Sequence, residues 1–79
     1  MKIKDFIGTE VRFDDFGGGY FWGKQKDGGE QMIAEIRGYG AIQKMFLNKK
    51  GCDFDKADKF QDDLGKWIAE AINDKLKQE

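Results

Sequence analysis

The last third of the chain constrains the fold most. From residue 53 to residue 79, Ala57, Phe60, Leu64, Trp67, Ile68, Ala71 and Ile72 recur at steps of three and four, the repeat of an amphipathic helix. A helix of this kind needs a surface to cover its apolar stripe, and residues 1–52 must supply it. Trp67 and Leu64 fall in the middle of the stripe and are expected to be core. Asp53 or Asp55 can cap the first amides, and Lys75 and Lys77 suit the carboxyl end, where cations meet the negative pole of the helix. Gly65 interrupts the pattern. Glycine inside a helix costs about 0.5 to 1 kcal/mol relative to alanine, so Gly65 reflects either drift or the close approach of a strand or a partner.

Glycines punctuate the rest of the chain, at Gly8, Gly17 to Gly19, Gly28 and Gly29, Gly38, Gly40 and Gly51. Ile3, Phe6 and Ile7 have helical spacing that Gly8 can end, with a strand over residues 2–7 as the alternative. Residues 9–14 alternate, Val11 and Phe13 against Glu10, Arg12 and Asp14, and residues 20–26 and 31–38 follow as two more strands. Ala41 to Leu47 suits a short helix with Ile42, Met45 and Phe46 inward.

The connection Lys26-Asp27-Gly28-Gly29-Glu30 signals a hairpin, and its length decides which aromatics face inward. An odd loop sets Tyr20 and Trp22 on one face with Met32, Ala34 and Ile36. An even loop places Phe21 there instead. The odd loop buries the larger aromatic pair under the helix, and it leaves Phe21, Ile33, Glu35 and Arg37 on the opposite face with Glu10 and Arg12.

Seventy-nine residues make a single domain, 1–79, that buries only about 60 to 65% of its unfolded surface, so a partner or a dimer interface would add stability. The 14 basic and 15 acidic side chains nearly cancel, which removes any overall field for phosphates or anionic lipid. The charge is nevertheless uneven. Residues 1–51 carry 9 basic and 7 acidic groups, whereas residues 52–79 carry 5 and 8, so the helix is the acidic element. Cys52 is the single cysteine, no intrachain disulfide can form, and a cytoplasmic location is the expectation. No segment has the apolar length of a signal peptide core or a membrane helix.

Several constellations resemble chemistry without its requirements. Asp14-Asp15-Phe16-Gly17-Gly18-Gly19 lacks the lysine and hydroxyl of a phosphate-binding loop, and no helix follows it. Asp53, Asp55 and Asp58 lack the glycine and the distal glutamate of a calcium loop, and helix capping explains them better. Tyr20-Phe21-Trp22 beside Lys24 and Lys26 has the composition of a base-stacking strand. With only two arginines and an acidic helix, direct nucleic-acid binding is not expected, and the eleven aromatics are assigned to the core.

The expected architecture is α+β: a three-stranded antiparallel meander, a short helix, and a long carboxyl-terminal amphipathic helix packed on one face. No histidine, no nucleophile beside a base and no metal set are present, so a non-enzymatic protein without a cofactor is expected. Small, charged, histidine-free domains of this shape resemble the general run of phage and mobile-element accessory proteins. That resemblance implies an inhibitor whose Asp55, Asp58, Asp62, Asp63 and Glu70 face the basic groove of a nucleic-acid-handling protein. Two alternatives are a ligand- or nucleotide-sequestering module rimmed by Phe16, Tyr20, Trp22 and the Gly17 to Gly19 loop, and a homodimer joined through Phe21, Ile33, Tyr39 and Gly65.

Overall fold

The computed structural model describes residues 2–16, 18–36, 44–45 and 53–79. A first helical turn, α1 (Lys4–Ile7), leads into strands β1 (Val11–Asp14), β2 (Tyr20–Lys24) and β3 (Glu30–Glu35), and the chain closes with a long helix, α2 (Phe54–Lys77). The strands form an antiparallel sheet in the order β1-β2-β3, the expected α+β meander. Gly8 ends α1 with φ +102°, its amide donating to the Lys4 carbonyl. Lys44 and Met45 are helical, but Met45 is 68% exposed rather than inward, and the rest of the helix expected over 41–47 lies outside the described residues.

The hairpin loop is odd, as its glycines suggest. Gln25 donates to the Gly29 carbonyl, and between them Lys26, Asp27 and Gly28 turn the chain, with Gly28 at φ +89°. Trp22 accordingly pairs with Met32. The face is nevertheless the opposite of the one expected. β1 lays Val11 against Gly23 and Phe13 against Phe21, so the apolar side of β1 joins Phe21, and Arg12 joins Trp22 on the other side. Phe21 is 4% exposed and touches the Phe13 ring at a centroid distance of 5.1 Å. The connection over residues 15–19 sets this phase. A register shift between Phe21 and Trp22 then leaves Ile33 as an extra residue in β3, which turns Ile33 and Ile36 toward the core while Met32 stays outside. Gly23 leaves room for the Ile7 carbonyl, which a side chain there would overlap, so α1 rests on the sheet at this point.

Asp53 caps α2, its carboxylate accepting from the Lys56 amide at 2.9 Å. The helix does not bury the middle of its apolar stripe. The buried positions are Ala57, Gln61, Gly65, Ala69 and Leu76, four of them at four-residue steps, with Ile68 and Ile72 packed beside them. Trp67 is 66% exposed, and Leu64 is only partly covered. The reason is distance. The Phe13 ring occupies the space where a Gly65 side chain would stand, so at this point α2 lies too near β1 for any side chain to fit between them.

One turn past Ala69, Asn73 closes the free edge of β1: its side-chain oxygen accepts from the Val11 amide at 2.7 Å, and its nitrogen donates to the Val11 carbonyl at 2.9 Å. Replacing Asn73 by alanine leaves two partly buried backbone groups unpaired and should cost about 1 to 3 kcal/mol in a urea melt. An unchanged midpoint would mean that water takes over both bonds.

Candidate functional site

The outer surface of α2 is two surfaces. Beside the buried line, Phe60, Leu64, Trp67 and Ala71 recur at steps of four, three and four, and they form an apolar strip roughly a third of a turn further round the helix. At its carboxyl-terminal half this strip borders a groove of about 340 Å³ between α1 and α2, lined by Ile3, Ile7, Trp67, Ala71, Ile72 and Leu76 among others. Ile3 is 61% and Phe6 62% exposed at the same end. The Glu79 carboxylate fixes α1 there, accepting from the Ile3 amide at 3.0 Å and the Lys4 amide at 2.9 Å. These two bonds, that of Lys4 foremost, hold its pKa below the usual carboxylate value.

The second surface is charged. Asp55, Asp62, Asp63 and Glu70 lie on the side of α2 that the strip and the sheet leave over. Asp58 does not join them: it stands two turns from Gly65, at the angle of the buried line, although it is exposed. The acids are also partly neutralised. Lys59 reaches Asp63 and Lys66 reaches Asp62, each at 2.7 Å and each four residues apart, and the Asp62 hydrogen bond raises the pKa of Lys66. Asp55 and Glu70 form no ion pair among the described residues.

The residues considered for a homodimer do not share a free patch. Phe21 and Gly65 are buried inside the monomer, Ile33 is half-buried against the core, and Tyr39 lies outside the described residues. Of the aromatics considered for a ligand rim, Tyr20 lies against Gly18 and shares the outer side of β2 with Trp22. Phe16 is 87% exposed, and Gly17 lies outside the described residues. Trp22 belongs to the outer face of the sheet, with the Arg12 guanidinium 5.8 Å from its ring centre. Arg12 in turn holds Glu30 with two hydrogen bonds, of 2.6 and 2.9 Å, which raise the pKa of Arg12 and lower that of Glu30. Trp22 Nε1 is enclosed there without a hydrogen-bond partner.

Among the described residues no group of three or more acidic or sulfur ligands converges to hold a metal, and no helix is long and apolar enough to cross a membrane. Sequence reasoning missed the strip as a surface, because Trp67 and Phe60 read as core on periodicity alone. It also missed Asn73, whose amide is polar and carried no signal. No protein-family model, curated protein or solved structure matches this chain, so its functional reading rests on these surfaces.

Proposed function

We propose that this protein acts by binding a basic partner through the charged side of α2, as an inhibitor that occupies a surface built for phosphates. The observation that carries the reading is the division of labour on one helix. The buried line of α2 runs through Ala57, Gln61, Gly65 and Ala69, with Gly65 against Phe13 and Ala69 in the core with Val11 and Phe21, so folding does not bury Asp55, Asp62, Asp63 or Glu70. Asp55 and Glu70 present carboxylates that no lysine holds among the described residues, and Asp62 and Asp63 can exchange their exposed lysines for a partner's cations.

The test compares matched baits in the native cell extract. A chain carrying Asp55→Lys and Glu70→Lys should fold with unchanged helicity and lose the proteins that the wild type captures. With a captured protein in hand, association should slow about tenfold or more between roughly 50 and 300 mM salt, as exposed charges are screened. Capture that survives both the reversal and the salt would refute the charge reading.

A further inference from the structure

We draw no further inference here: the strongest candidate, the apolar groove between α1 and α2 walled by Ile3, Ile7, Trp67, Ala71, Ile72 and Leu76, carries none, because nothing in the structure shows what covers it.

Discussion

Replacing Phe21 by alanine should unfold most of the protein, while replacing Trp67 by alanine should leave the folded chain in place. Phe21 is 4% exposed and stacks at a tilt on Phe13 beside Val11, Ala69 and Leu76. Truncating a buried phenylalanine costs about 3 to 5 kcal/mol, which is comparable with the whole stability of a domain this small. Trp67 gives little of its surface to the monomer's core, so its loss removes surface and not packing. Urea melts followed by circular dichroism distinguish the two. A native-like midpoint for Phe21→Ala, with collapse of Trp67→Ala, would mean that the sheet presents its other face to the helix.

Gly65→Ala should destabilise the protein although alanine favours a helix by about 1 kcal/mol over glycine. The added methyl group would overlap the Phe13 ring, which the Phe21 ring backs, and overpacking of this kind costs about 1 to 3 kcal/mol. Gly65→Val should cost more. Trimming the ring by Phe13→Leu should recover part of the loss in the double variant, because the two sites share one space. A stabilised Gly65→Ala chain would show that Phe13 moves aside freely and that α2 is not held at this distance.

Much of the architecture was legible because periodicity and turn chemistry act locally. The three strands, the turn before Gly8, the odd hairpin loop and the Asp53 cap all follow from residues within a few positions of one another. Orientation was not legible from the hairpin alone. It depends on how β1 joins β2, and Arg12 and Asp14 on one side of β1 were the available sign that Tyr20 and Trp22 would accompany them outward. The shift at Ile33 left no mark in the sequence, because Met32, Ile33 and Ala34 are all apolar. Periodicity likewise showed an apolar arc on α2 without showing which part of it meets the sheet. Gly65 was the marker of that line, readable once the close approach it permits is preferred to drift. The five candidate acids all lie within α2, but their ion pairs and the separate angle of Asp58 emerge only when side chains are positioned.

The attachment of α2 has a consequence for how the molecule opens. The helix meets the sheet mainly along β1, and Asn73 bonds to that strand's backbone across 62 residues of sequence. β1 is itself an edge strand, joined to its neighbour by four residue pairs, whereas β2 and β3 are held together by a short loop. Pulling β1 away therefore releases α2 with it and leaves the hairpin intact, so the chain divides into two cooperative units along the β1–β2 seam. Backbone amides of the helix and of β1 should exchange with solvent deuterium as one group, set by a single opening reaction rather than by fraying from either end.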